Sequence, residues 1–277
     1  YIRAKEVLLS TGSIERPIVF GNNDIPGIFL SSAAKEYMKV YGVLVGKKPI
    51  IFTNNDSAYE TAIEFKKNGV DPLILDTRED QNSELINDAK NLNIQIKFSS
   101  AIIKANGYRK VKSATIGKLN KDKNNFETSE NVSCDSICIS GFWTPTVHLS
   151  SQSGNKLKFN DQIDAFVPNK PKQNEHSIGS SNGSFSLKET LESSFKIGLE
   201  TSKKITNNDT KIQLPNITER KFSTHDKFWC SPLFNGKNYK RFVDFQNDVT
   251  VSDIEVALRE GYRSIEHVKR YTTLGMA

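Results

Sequence analysis

The sequence predicts an α/β protein in which a parallel-sheet unit interrupts a second, discontinuous α/β unit and is followed by a small helical module. Three observations carry this. Strands and helices alternate between residues 46 and 98; a polar hairpin region then leads to one more buried strand and a capped helix; and two short capped helices follow residue 250. At 277 residues the chain is long enough for two compact units, at about 100–200 residues per domain. The expected division is an outer unit of residues 1–45 with 133–200, an inserted unit of 46–132, a linker of 201–235 and a module of 236–277.

Glu6 to Leu9 reads as a buried strand, and the Pro26-Gly27 turn precedes a helix opening near Ser31 or Ser32 and closing at Gly42. Ile50-Ile51-Phe52 is a short strand, after which Asp56-Ser57 is placed to cap a helix whose Ala58, Ala62 and Phe65 share one face. Gly69 ends that helix. A strand from Pro72 to Leu75 finishes at Asp76, a helix spans about Ser83 to Leu92, and Ile94 to Phe98 is the next strand. This βαβαβ order predicts a parallel sheet.

From Ala101 to Val132 the pattern turns alternating and polar, with hairpin turns at Gly107, Gly117 and Asn120 to Asn125. Ser136 to Ile139 is a buried strand. Ser186 and Glu189 form a capping-box pair ahead of the helical face Leu187, Leu191, Ser194 and Gly198. Residues 201–235, with Asn207-Asn208-Asp209, Pro215 and Pro232, show no sustained period and read as a linker. Beyond them, Thr250 to Gly261 has a capped start and a glycine stop, and Ser264 to Tyr271 repeats the plan.

Composition excludes several classes. With 36% hydrophobic and 25% charged residues and no apolar run near the ~18 residues of a membrane span, the chain is not a membrane-spanning protein. Lys and Arg exceed Asp and Glu by 38 to 32, but the excess is dispersed, which disfavours a nucleic-acid partner. Three cysteines cannot all pair and no signal peptide is evident, so a cytoplasmic setting is expected. The chain starts at Tyr1 inside an apolar run, Ile2 to Leu9, as a fragment cut within a domain would.

Between a strand and a helix, Thr53-Asn54-Asn55-Asp56-Ser57-Ala58 stands where a dinucleotide-binding loop G-x-G-x-x-G/A would stand. Thr53 and Asn55 replace the first two glycines, and only Ala58 fits. The second glycine lets a phosphate approach bare backbone, so a side chain at Asn55 occupies the pyrophosphate's space. Asp76, at the next strand end, lies close to the ~20-residue spacing of a ribose-binding acid. Two readings stay open: a Rossmann-like unit that has lost its ligand or binds it abnormally, or a unit that binds a nucleotide here. Ser10-Thr11-Gly12, Ser140-Gly141 and Ile178-Gly179-Ser180-Ser181-Asn182-Gly183 are three glycine-bearing turns that admit a close ligand, and equally three ordinary turns.

These turns, in this order, resemble the disulfide-reductase-like superfamily of two-dinucleotide-binding flavoproteins. The longer strings Thr11-Gly12-Ser13-Ile14-Glu15-Arg16-Pro17, Phe52-Thr53-Asn54-Asn55-Asp56-Ser57-Ala58-Tyr59, Trp143-Thr144-Pro145-Thr146-Val147-His148-Leu149, Val243 to Thr250 and His267 to Met276 are similar to the α subunits of heterotetrameric sarcosine oxidases. The likeness extends over essentially the whole chain. It implies a discontinuous FAD/NAD(P)-binding-like domain holding an inserted Rossmann-like domain. It also implies a longer subunit, with an intact G-x-G-x-x-G upstream and a folate-binding domain downstream.

What the resemblance implies for function is an oxidoreductase acting on CH–NH donors. Its reaction is oxidative demethylation of sarcosine to glycine, with formaldehyde or methylenetetrahydrofolate and hydrogen peroxide as the other products. NAD is expected in the outer domain beside Thr11, Gly12, Ser13, Gly141, Phe142, Thr144, Gly179 and Asn182, FMN at the interface with the β subunit, and FAD on β alone. Hydride transfer to flavin belongs to β, no catalytic residue falls in this chain, and the partners are the β, γ and δ subunits. The chain by itself is expected to bind NAD weakly or not at all. A non-catalytic assembly scaffold with vestigial nucleotide sites, and a subunit of a related amine or opine dehydrogenase, are the alternatives.

The last module is similar to the cluster-binding domain of bacterioferritin-associated ferredoxins, yet has no cysteine from Tyr239 to Ala277 to ligate a cluster. It is expected to be a packing element. Cys134 and Cys138 flank a strand and stand about 13 Å apart, beyond disulfide reach. No Cys-x-x-Cys is present, which disfavours a disulfide reductase. His148, His176, His225 and His267 lack metal-site spacing.

Overall fold

A computed structural model describes residues 3–207, 213–214, 216–218 and 225–276. Tyr1 and Ile2 of the opening run, and Asn208, Asp209 and Pro215 of the expected linker, lie outside the described residues, as does Ala277. The chain forms two compact units, one of Tyr1–Arg16 with Trp143–Lys221 and one of Pro17–Phe142 with Phe222–Ala277.

The first unit opens with β1 (Val7–Leu9) and β2 (Ser13–Glu15). The chain then builds the second unit from β3 (Ile28–Leu30), α1 (Ser31–Tyr41), β4 (Pro49–Thr53), α2 (Ser57–Lys67), β5 (Leu73–Asp76), α3 (Glu84–Asn91) and β6 (Gln95–Lys97). Three antiparallel strands follow, β7 (Ser100–Gly107), β8 (Val111–Leu119) and β9 (Phe126–Ser133), and then β10 (Ser136–Ser140). The first unit resumes with β11 (Trp143–Pro145), α4 (His148–Gln152), β12 (Leu157–Asn160), β13 (Ala165–Pro168), β14 (Glu175–Ser177), a 3₁₀ turn at Gly179–Asn182 and α5 (Leu187–Thr206). The second unit ends with β15 (Phe242–Asp244), β16 (Val249–Thr250), α6 (Val251–Arg259) and α7 (Ile265–Thr272).

In the second unit β3, β10, β4, β5 and β6 form, in that order, a five-stranded sheet that is parallel throughout. The period of two along β4 explains its layering. Ile51 faces a core of Ala34, Ala58, Tyr59, Ala62, Phe65 and Ile86 from the three helices, whereas Ile50 and Phe52 face Ile102, Ala114 and Ile116 of the antiparallel sheet. Burial on both faces is why β4 and β10 read as unbroken apolar runs. Ser83 caps α3 by accepting from Ile86 N, and Thr250 and Asp253 form the expected capping box on α6.

The unit boundary falls at 16/17 and 142/143 rather than at 45/46 and 132/133. The strand–turn–helix of residues 28–41, assigned from sequence to the outer unit, hydrogen-bonds through β3 to β10 in the parallel sheet and packs Ala34 and Met38 onto its helix layer. Local grammar could not tell which sheet that strand would join. Nor are residues 201–235 a linker throughout. α5 continues to Thr206; Phe228 sits in the core edge-on to Phe52, with ring centres 6.4 Å apart; and Val19 and Ser231 exchange backbone hydrogen bonds with Trp229 and Val19 in turn. The final module is likewise tied into the second unit, since the Asn23 amide donates to Phe242 O and accepts from Phe242 N, each at 2.8 Å.

The first unit is assembled from two-stranded pieces: β1 with β14 in parallel, β2 with β11 and β12 with β13 antiparallel. β1 is not the buried strand expected, with Val7 42% and Leu8 40% exposed. Its one neighbour among the described strands, β14, supplies backbone pairing but little apolar cover.

Candidate functional site

In the second unit the β4–α2 junction is a closed polar knot. Thr53, Asn54, Asn55 and Asp56 are each at most 2% exposed. Asn55 Oδ1 accepts from Ser57 N at 3.0 Å and from Ser57 Oγ at 2.6 Å, while its Nδ2 donates to Ser140 O at 3.2 Å and Ser140 Oγ at 3.1 Å. The helix N-terminal amide that an anion would seek is thus held by the chain's own side chain. Asp56, expected to cap α2, makes no cap hydrogen bond. Its carboxylate instead pairs with Arg78 Nη1 at 2.9 Å.

Asp76, the ribose-acid candidate, is fully buried and committed elsewhere. It accepts from Arg78 Nε at 3.0 Å and Nη2 at 2.7 Å, and from the Tyr59 hydroxyl at 2.8 Å. Burial alone would lower the Arg78 pKa, but hydrogen bonding and charge from Asp76, then Asp56, outweigh it and raise it. Burial, reinforced by Asp76, raises the Tyr59 phenol. Arg78 and Tyr59 were not singled out from sequence. The one signal was an Arg two residues beyond a strand-end Asp, a common surface pattern without the fold around it.

Six of the eight candidate site residues, Thr11, Gly12, Ser13, Thr144, Gly179 and Asn182, fall in the first unit. The ends of β1 and β14 come together there, with Leu9 O accepting from Ile178 N at 2.9 Å and from Ser181 Oγ at 3.2 Å. Gly12 O accepts from Thr146 N at 3.0 Å, and the Thr11 hydroxyl donates to Thr146 O at 2.8 Å. Thr144 pairs with Ile14 across the β11–β2 ladder. Gly12 (φ +74°) has open space where a Cβ would project, so a ligand can approach its backbone. Gly179 (φ +67°) is tighter, with Thr190 Cγ2 at 3.1 Å from an added Cβ. Asn182 is exposed.

Gly141 and Phe142 belong to the second unit. Phe142 adopts φ +77°, rare for a bulky residue, and its ring stacks on the His225 imidazole at 4.1 Å and 4°. Among the described residues no group of three or more His, Cys, Asp and Glu side chains is placed to hold a metal, and no helix is long and apolar enough to cross a membrane. Cys134 and Cys138 are both buried, and burial followed by the charge of Asp135 pushes the Cys134 thiol up to about 12.

Known proteins resemble this chain at three levels. Residues 238–277 match the model of the sarcosine oxidase A3 domain. The sarcosine oxidase α subunit of Corynebacterium sp. (strain P-1) is 32% identical over 283 residues, an alignment covering all of this chain and 29% of that protein. The α subunit from Rhizobium meliloti (strain 1021) is 30% identical, again across the whole chain and 27% of its own length. In fold, L-proline dehydrogenase from P. horikoshii superposes with a TM-score of 0.54 at 18% identity, covering 99% of this chain and 50% of that one. The likeness is one of fold, shared also with thioredoxin reductase from T. acidophilum at a TM-score of 0.51 and 16% identity over 66% of this chain and 60% of that one. The chain is similar over its whole length to sarcosine oxidase α subunits and spans under a third of the length of those relatives.

Proposed function

We propose that the chain forms the nucleotide-holding and subunit-contacting part of the α subunit in a sarcosine oxidase-like flavoenzyme. Its oxidation of sarcosine to glycine, with formaldehyde or methylenetetrahydrofolate and hydrogen peroxide as the other products, takes place on a partner β subunit. The observation that carries the reading is the end-to-end alignment at 32% identity with a sarcosine oxidase α subunit. A cytoplasmic complex with β, γ and δ subunits is part of the same proposal. So are an FMN shared with β and an FAD on β, to which no residue of this chain is assigned.

Of the two units, the first is the better dinucleotide host. Its Gly12 turn leaves backbone open to a ligand, whereas the second unit's loop is filled by Asn55 and its acid is held by Arg78. Thr11, Gly12, Ser13, Thr144, Gly179 and Asn182 are the residues proposed to lie beside NAD, and their part is to bind and orient it. Gly141 and Phe142, in the other unit, are not carried into this proposal. NAD, when bound, supplies a nicotinamide able to accept or donate hydride.

The test uses the intact complex. Nucleotides extracted from it are expected to include about one NAD per α subunit, and Gly12→Val is expected to lower that occupancy, because a branched side chain would enter the open space at a left-handed position. A complex free of NAD overturns the reading. It would favour a non-catalytic assembly scaffold, which the self-satisfied second unit already suits; a related amine dehydrogenase would be separated by its substrate alone.

A further inference from the structure

We propose that Asp226 is an internal ligand, a carboxylate from the chain's own 225–228 segment that fills the crevice at the carboxyl ends of β4 and β5, beside the helix N-terminus that Asn55 already occupies. In open parallel sheets this is where ligands bind. Three parts of the second unit, distant in sequence, converge on this one residue. Asp226 Oδ2 accepts from Thr77 Oγ1 at 3.0 Å, immediately after β5, and from Lys123 Nζ on the β8–β9 turn. Immediately after β4, Asn54 grips the backbone from both sides: its Nδ2 donates to Asp226 O at 2.7 Å and its own carbonyl accepts from Asp226 N at 3.0 Å.

A hydroxyl, an ammonium and a matched backbone clamp form a directional carboxylate site, unlike a lone surface lysine, which attracts any anion. Two residues on, Phe228 enters the core against Phe52, so the segment is anchored by apolar burial on one side and by the carboxylate on the other. The Asp226 and Lys123 side chains retain 21% and 28% exposure, which leaves a path for a small anion once the side chain is shortened. The inference does not rest on the proposed function, because its readout is the stability of this chain.

The test is rescue by added carboxylate. Asp226→Ala in the full chain removes the ligand and keeps the backbone clamp, and is expected to lower Tm by about 3–8 °C. Acetate, compared with chloride at equal ionic strength, should restore much of that loss in Asp226→Ala but leave the parent chain and Asp226→Ala/Lys123→Met unmoved. An unchanged Tm in Asp226→Ala, or equal effects of acetate and chloride on it, overturns the proposal. If Asp226→Ala does not fold, the near-isosteric Asp226→Asn replaces it. Its amides at 225–228 should then exchange hydrogen faster than in the parent chain, and unchanged exchange there equally overturns the assignment.

Discussion

At the end of β4, four consecutive polar residues, Thr53 to Asp56, are buried and spend their hydrogen bonds on the chain itself; at the end of β1, Gly12 keeps a left-handed turn beside open space. Both stretches are strand-to-turn junctions of the kind that receives nucleotides. They differ in what stands where a phosphate would. In the second unit Asn55 fills the helix N-terminus and Arg78 ties Asp56 to Asp76, so Asn55, Asp56 and Asp76 each already have a partner. A buried polar network of this kind is costly to leave half-made, and once complete it needs nothing from outside.

Arg78→Met should break the contrast most strongly. It strands two buried carboxylates, Asp56 and Asp76, and is expected to destabilise the second unit by about 3–5 kcal/mol in urea unfolding. A loss below about 1 kcal/mol would mean that the knot is not what seals this junction.

Asn55→Gly restores the glycine of the dinucleotide pattern and removes the bonds to Ser57 and Ser140, at an expected cost of about 1–3 kcal/mol. Calorimetry with NAD should detect no binding to this unit in the variant, because Asp76 stays locked by Arg78 and Tyr59. Tight binding would show that one side chain alone had kept the nucleotide out.

On the other side of the contrast, Gly179→Ala places a Cβ at φ +67° against Thr190 and should cost about 1–2 kcal/mol in stability. In the intact complex it should also lower NAD content. Full retention of NAD would detach that turn from the proposed site.

The smallest effect is expected at Asp244. Hydrogen bonds from the Asn247 side chain, then from the Gly275 and Asn247 backbone, hold its carboxyl at about 2 against an ordinary 3.8. The ionised group therefore helps the β15–β16 turn above pH ~4, and that help fades as pH falls from about 4 towards 2. Asp244→Asn should flatten this acid limb slightly, without changing the unfolding curve at neutral pH by more than surface screening allows. A pronounced loss at neutral pH would make Asp244 an anchor for the chain end at Gly275 rather than a local turn former.

Helices were legible because their signals are local. Ser83, Ser186 and the Thr250/Asp253 pair mark starts, and the Ala58, Ala62, Phe65 stripe marks a buried face. The blocked fingerprint was legible too, since Asn55 is a substitution within six consecutive residues. Assignment of β3 to its sheet was not, because any short apolar strand satisfies the same grammar and the choice between β10 and β1 is made by packing. Nor was the role of Asp226, which sits in a polar stretch without period and meets Lys123, Thr77 and Asn54 across separations of 103, 149 and 172 residues.

By itself the order of residues determined the α/β class, the parallel core strands, the capped helices and the loss of glycine at position 55, all of which follow from backbone propensity, apolar period and side-chain volume over a few turns of chain. Tertiary structure alone decided which unit owns residues 17–45, what Asp76 is paired with and what lies over the ends of β4 and β5. Those outcomes depend on electrostatic and packing contacts between segments far apart in the chain, and such contacts have no local signature.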